Sequence, residues 1–379
     1  MRGDYLVLAD ISKITMGQSP ESSTYNENGD GLPFFQGNAD FGKIHPHVRV
    51  WCTSPKKIAQ KNDILISVRA PIGALNIANQ ECCIGRGLAA IQVDEKTIDR
   101  EYLWFFLNSK VDFLNTQGTG STFKAINKNI LADLKVRVYD KKIQKTIVEK
   151  LNTVTSLLEK TAKYKTKLDE LIKSRFVEMF GDVILNTMGW NIAKIGQIVT
   201  EVRYGTSRPA TENGMYPYLR MNNLTYNGYL DLSDLKRIDI PDNEIEKCIV
   251  RNGDILFNRT NSIELVGKTC VFNEPTDMII AGYIIRIRLK PIMLPIVFSC
   301  FMNTEALKTK LRNMAKGAVN QANINAQELQ NIEIYVPPID LQTQFVDFVT
   351  QVEKQKATVQ KSIDKLETLK KSHMQEYFG

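Results

Sequence analysis

The chain says nearly the same thing in its middle and again in its last residues. KLDELIKSRFVEMFG, Lys167 to Gly181, and KLETLKKSHMQEYFG, Lys365 to Gly379, agree at eight of fifteen positions. These are Lys167/Lys365, Leu168/Leu366, Leu171/Leu369, Lys173/Lys371, Ser174/Ser372, Glu178/Glu376, Phe180/Phe378 and Gly181/Gly379. The same offset of 198 aligns Ile126-Asn127 with Ile324-Asn325 and Leu131 with Leu329, while Gly120 falls three residues off register with Gly317. Upstream, NDILIS (62–67) matches GDILFN (253–258) at 191, and LADISKITMGQSP (8–20) resembles IGQIVTEVRYGTSRP (195–209) at 187 to 189. Landmark order is preserved while spacing drifts, which is the signature of a duplicated unit with diverged loops. A length of 379 residues fits two such copies better than one core.

Each copy divides in the same way. A mixed section comes first, with short β-branched runs (DILISV, GLAAIQV, LKVRVY; DILFN, YIIRIRL, IEIYV) that read as strands between Gly- and Asn-rich turns. YLWFFLNS (102–109) and IVFSCFMNTEALKTKL (296–311) read as helices, so each section is α/β or α+β. A long amphipathic segment follows. Apolar residues recur at Ile147, Leu151, Val154, Leu158, Leu168 and Ile172, and again at Phe345, Val349, Val352, Val359, Ile363, Leu366 and Leu369. Spacings of three, four and seven make a coiled-coil-like seam, and neither stretch contains an internal proline. A helix of about 38 residues spans roughly 57 Å and cannot bury its seam alone. The expected solution is an antiparallel pair with approximate two-fold symmetry, the globular parts at opposite ends of a rod. The expected boundaries are 1–140, 141–181, 182–337 and 338–379. Pro337-Pro338 marks a sharp start for the second helix; YDKKIQ (139–144) predicts a less sharp start for the first.

Charge is distributed unevenly. Residues 141–181 carry ten Lys and Arg against five Asp and Glu, whereas the two mixed sections are nearly balanced. The net charge of +7 is therefore concentrated in the first long helix. Any binding of a polyanion by the globular parts depends on the arrangement of charge, not its total. The six cysteines show no CxxC spacing and are too sparse for a disulfide scaffold. His45, His47 and Cys52 fall short of a four-ligand zinc set, so no metal is expected. The longest apolar runs are shorter than the ~20 residues a bilayer needs, and the first ten residues lack a signal-peptide core, so a soluble cytoplasmic protein without membrane association is expected.

The whole chain resembles the DNA-specificity subunits of type I restriction-modification systems. The resemblance is carried by the Gly17–Pro20 and Gly205–Pro209 entries, the NDIL/GDIL strand, the G…IN…L approach and the long helix ending in FG, each present twice. NDILISVRAPIGALNIANQECCIGRGLAAI (62–91) is similar to one kind of target-recognition domain. YLRMNNLTYNGYLDLSDLK (218–236) with GDILFNRTNSIELVGKT (253–269) is similar to another. The resemblance implies tandem recognition domains that each read half of an asymmetric bipartite target, with the helical pair setting the spacing. It implies double-stranded DNA, two adenine methyltransferase subunits and restriction-translocase subunits as partners. It further implies no cofactor in this chain, with S-adenosylmethionine, ATP and Mg on the partner subunits.

Base edges favour Arg, Asn and Gln, and phosphates favour Lys, Arg, Ser and Thr. On that chemistry the candidate DNA contacts of the first domain are Ser67, Arg69, Arg86, Ser121, Thr122 and Lys124. Those of the second are Arg220, Asn222, Asn223, Asn258, Arg259, Thr260, Asn261, Lys316, Asn320 and Gln321. Arg69 and Arg259 both follow the matched strand, which suggests one shared role. An enzyme reading finds little support. The single Pro-Pro lies in VPPID (336–340), where valine replaces the amide or carboxylate of an adenine methyltransferase tetrapeptide. GTGST (118–122) lacks the GK[ST] ending of a phosphate loop. The remaining alternative is a non-catalytic protein-interaction scaffold with duplicated domains on a coiled-coil rod.

Overall fold

The computed structural model describes residues 3–119, 124–315 and 322–379. The chain forms two compact units, Met1–Ala162 with Lys361–Gly379 and Lys163–Gln360. The division falls inside both long helices, Lys141–Phe180 and Ile339–Phe378, so each unit takes part of each.

Unit 1 is built on a four-stranded sheet in the order Ser12–Met16, Leu88–Val93, Ile64–Ser67, Leu75–Ile77, with antiparallel pairing throughout. The central strand Ile64–Ser67 is buried on both faces, which is why it reads as a continuous apolar run and not as an alternation. One face packs on the helix Arg100–Ser109, through Tyr102, Leu103 and Phe106, and on Ile147 and Leu151 of the long helix. The other face, through Leu65, Leu88 and Ala90, covers a second sheet in which Leu32–Phe35 and Cys82–Ile84 run parallel.

Unit 2 repeats this plan. Its four-stranded sheet runs Val199–Tyr204, Ile284–Leu289, Ile255–Asn258, Thr269–Val271. Its second sheet again has one parallel pair, Tyr216–Leu219 with Met278–Ile280. The segment read as one helix, 296–311, is two: Pro295–Met302 and Glu305–Met314. Thr304 between them accepts from the Leu307 amide and caps the second.

The hydrogen bonds repeat more faithfully than the side chains. Asp63 accepts from the Gln60 amide and Asp254 from the Arg251 amide, at 2.8 and 2.9 Å. Gly73 and Gly267 donate to the carbonyls of Ser67 and Asn258, both at positive φ (92° and 84°), a conformation that favours glycine. At the start of each long helix stands a fully buried glutamine. Gln144 donates to the Tyr139 and Thr97 carbonyls and accepts from the Asp99 amide. Gln342 does the same with Pro337, Ile292 and the Leu294 amide. Each ties its helix to a neighbouring loop and helix start, so a buried polar group is fully satisfied.

The first long helix does not begin loosely. Asp140 caps it by accepting from the Ile143 amide at 2.9 Å, a role that the YDKK sequence supplies without proline. Of the seam positions, Ile147, Leu151, Val154, Leu168, Ile172, Phe345, Val349 and Val352 are buried. Leu158, Val359, Ile363 and Leu366 are half-buried. Leu369 is a correction: it is 42% exposed, because the inward face passes from Leu366 through Lys370 and His373 to Tyr377. Within unit 2 the two helices run in opposite directions, with Lys165 donating to Gln360, Lys356 bonded to Asp169, and Phe345 edge-on to Phe176.

All six cysteines are unpaired. Burial pushes the Cys82 and Cys270 thiols up to about 12 and Cys83 up to about 11. Desolvation disfavours the thiolate, which is the reactive form. At mildly alkaline pH these three are expected to stay unmodified by Ellman's reagent in the folded protein, and all six thiols to react in concentrated guanidinium. Rapid reaction of Cys82 or Cys270 in the native chain would contradict this packing.

Candidate nucleic-acid interface

Each main sheet has one end at which the chain makes three close passes. In unit 1 these are the exit of Ser12–Met16, the entry of Leu88–Val93 and the exit of Ile64–Ser67; Leu88 pairs with Ser67, and Ala89 with Met16. In unit 2 Ile284 pairs with Asn258, and Ile285 with Tyr204. Gly17 and Gly205 leave the first strand at equivalent points, where an added Cβ would meet the Gly85 carbonyl oxygen at 2.2 Å and the Ile280 carbonyl oxygen at 2.1 Å. The glycine of the Gly–Pro entry is therefore needed for close approach of two backbones.

Four arginines were candidates by sequence, and their surroundings divide them. Arg69 and Arg86 are exposed at this end of unit 1, with no ion pair among the described residues. Arg86 shares its loop with Ser19 and Gln36: the Ser19 hydroxyl accepts from the Arg86 amide and exchanges hydrogen bonds with Gln36. Lys124 is exposed and lies beside Arg69, its carbonyl accepting from the Ala70 amide. Arg259 occupies the corresponding end of unit 2. Its guanidinium stacks 4.8 Å from the Tyr204 ring centroid, and its buried Nε has no hydrogen-bond partner among the described residues. The nine other arginines of unit 2 each have a carboxylate or carbonyl, as in Arg208–Glu244, Arg251–Glu246 and Arg288–Asp254. Arg220 is among these, held by Asp234 at 2.7 Å.

The hydrogen bonds bear on the shared role expected of Arg69 and Arg259, which both follow the matched strand. Ile126 donates to the Val68 carbonyl, and its counterpart Ile324 donates to that of Arg259. Val68 is thus the positional equivalent of Arg259, and Arg69 lies one residue beyond it.

Several polar candidates turn inward. Ser67 is 1% exposed and donates to the Arg69 carbonyl. Asn258 is fully buried and donates to the Thr260 and Tyr283 carbonyls. Asn223, 2% exposed, donates to the Asp231 carbonyl and accepts from the Arg220 amide. Thr260 is buried against Asn323. As placed, these four shape the loops that carry other residues. Asn222 is exposed and Asn261 half-buried. Ser121, Thr122, Lys316, Asn320 and Gln321 lie outside the described residues. Ser19, Gln36, Tyr204 and Tyr283 belong to the same ends and escaped the sequence reading. The entries at Gly17–Pro20 and Gly205–Pro209 were the available signal for Ser19 and Tyr204.

Among the described residues, no group of three or more His, Cys, Asp and Glu could hold a metal ion. No helix there is long and apolar enough to cross a membrane.

The sequence matches the profile described as type I restriction modification DNA specificity domain twice, at residues 5–170 and 188–368. It is 41% identical over 164 residues to a Methanocaldococcus jannaschii protein named for the MjaX type I restriction enzyme specificity subunit, covering 42% of this chain and 38% of that protein. It is 24% identical over 237 residues to the EcoKI specificity subunit of Escherichia coli K12, covering 58% of this chain and 51% of that one. These two alignments span about half the relatives' length or less. The 20% match to the Escherichia coli EcoBI specificity subunit extends over 93% of this chain and 80% of the relative. The fold resembles the crystal structure of the type I restriction-modification S subunit from M. genitalium, with a TM-score of 0.55 at 14% identity over 100% of this chain and 96% of that one. A chain from a structural study of type I restriction-modification complex assembly gives 0.63 at 15% identity, covering 99% and 97%. Two profile matches that together take in most of the sequence, on a fold shared with S subunits, place this chain in the type I restriction-modification DNA specificity family.

Proposed function

We propose that the chain is the non-catalytic, DNA-reading subunit of a type I restriction-modification complex. Units 1 and 2 each read one half of an asymmetric bipartite target. The observation that carries this reading is the set of arginines without an ion pair among the described residues, Arg69 and Arg86 in unit 1 and Arg259 in unit 2, each at the equivalent end of its unit's main sheet. A guanidinium left without an internal anion on a surface where its neighbours are paired is suited to phosphate oxygens and base edges. The side chains around these arginines differ between the units, which favours two different half-sites.

The long helices form an antiparallel coiled-coil pair with approximate two-fold symmetry in this reading, and their length sets the distance between half-sites. They also dock two copies of one adenine methyltransferase subunit. Five of the eight identities between the helix ends support that role, because packing does not explain them: Lys167, Leu171, Lys173, Ser174 and Glu178 are exposed, as are Lys365, Leu369, Lys371, Ser372 and Glu376. S-adenosylmethionine, ATP and Mg belong to the methyltransferase and restriction-translocase partners, and the complex works in the cytoplasm. The test is the adenine methylome of the source organism with and without this gene. Loss of one bipartite motif is the expected result. An unchanged methylome overturns the reading in favour of a protein scaffold.

A further inference from the structure

We propose that Arg259 reads a guanine in the half-site of unit 2, with Tyr204 as the residue that positions it. The inference rests on the DNA-reading role above and adds to it a base, a contact and a division of labour.

The backbone of Arg259 is fixed on both sides. Its amide donates to the Tyr283 carbonyl at 3.0 Å, and its carbonyl accepts from the Ile324 amide at 2.9 Å. Asn258, just before it, bridges the Thr260 and Tyr283 carbonyls, both at 3.1 Å. Asn261 donates back to Asn258 Oδ1 at 2.8 Å, and Thr260 donates to Asn323 Oδ1 at 2.9 Å. The side chain is fixed as well. It lies over the Tyr204 ring, whose hydroxyl oxygen accepts from the Ala326 amide at 2.8 Å at the start of a short helix. Stacking covers one guanidinium face and, with Nε buried, leaves the two terminal Nη groups as the fork, without a partner among the described residues.

Such immobilisation separates base reading from phosphate binding. A phosphate tolerates a flexible cation, and the exposed Arg69, Arg86 and Lys124 suit that task. A base edge demands a planar fork at a set angle, and the O6/N7 edge of guanine is the acceptor pair that a bidentate arginine fits. The other unit points the same way. On an equivalent backbone it carries Val68 for Arg259, Met16 for Tyr204 and Gly87 for Tyr283. Three substitutions remove the whole device, so unit 1 reads its half-site by other contacts.

The experiment uses the full chain assembled with its methyltransferase and a plasmid library randomised across the unit-2 half-site. Arg259→Ala should relax the requirement for guanine at one position by roughly 5- to 150-fold, with every other position and the unit-1 half-site unchanged. Tyr204→Leu should relax the same position, and Tyr204→Phe, which keeps the ring, should restore it. Uniform weakening across all sequences with a shallower salt dependence would make Arg259 a phosphate clamp and overturn the inference. Relaxation at a position that is not guanine would overturn it too. Trp190 fluorescence of each variant reports unit 2 folding, and a complex rebuilt with Arg259→Lys covers the case in which the alanine variant fails to fold: a point charge without the fork should still relax that position. If the unaltered complex selects no bipartite motif, the DNA-reading role itself fails, which is a different result.

Discussion

Phe345→Ala is expected to destabilise unit 2 by about 3–5 kcal/mol, the usual cost of emptying a large aromatic site in a packed core. Phe345 is fully buried and meets Phe176 and Phe180 edge-on, with centroids at 5.6 and 5.3 Å. Both rings come from the other long helix, so the cavity opens where the two helices and the sheet share one core. Phe378→Ala is the corresponding change in unit 1, where the ring meets Tyr102 at 5.1 Å and Phe106 at 6.2 Å. The tryptophans separate the two effects. Trp190 is the only one in unit 2, packs against the same core and donates to the Phe180 carbonyl, while Trp51 and Trp104 belong to unit 1. Urea unfolding followed by single-tryptophan variants should show Phe345→Ala shifting the Trp190 transition far more than the Trp104 transition, and Phe378→Ala the reverse. Equal shifts at both reporters would mean that the two units unfold as one.

Much of this architecture is legible in the sequence because it is periodic. A seam at three- and four-residue spacing and a motif that recurs at a fixed offset survive the divergence of everything between them. The failures have local causes. Leu369 fits an apolar pattern by type, yet a helix face turns by 3.6 residues per turn, and the inward line there passes through Lys370. Gln144, Gln342 and Lys356 look like solvated helix residues and are buried, because each finds its partners on segments far away in sequence. Spacing cannot announce those partners.

The site shows the same limit more sharply. Residue type made Ser67, Asn223 and Asn258 good candidates, since hydroxyls and amides read DNA well. The same groups also tie loops together, and burial decided for the second role. Arg69 and Arg259 were grouped because each follows the matched strand closely, yet the offset of 191 already sets Val68 opposite Arg259, and the amide of Ile126 on Val68 and that of Ile324 on Arg259 agree with it. Tyr204 was invisible as a functional residue, since an aromatic at a strand end usually packs. What marks it is a guanidinium, unpaired among the described residues, lying over its ring.

Removing seven residues from the middle of each long helix is expected to shorten the spacer of the recognised target while leaving both half-sites intact. Seven is chosen because a whole heptad keeps the apolar seam in register, whereas four would offset it by about 40–50° and locally change the supercoil. At 1.5 Å per residue the deletion removes about 10 Å, which is about three base pairs of duplex at 3.4 Å each. The candidate DNA-contacting arginines Arg69, Arg86 and Arg259 lie at the sheet ends of the globular sections, so the deletion does not touch them. The adenine methylome of a strain carrying only the shortened chain reads the outcome directly. A motif with the same half-sites and a spacer shorter by about three base pairs supports a helical ruler. An unchanged spacer, with the deleted chain folded by its tryptophan fluorescence, would assign the spacing to the partner subunits instead.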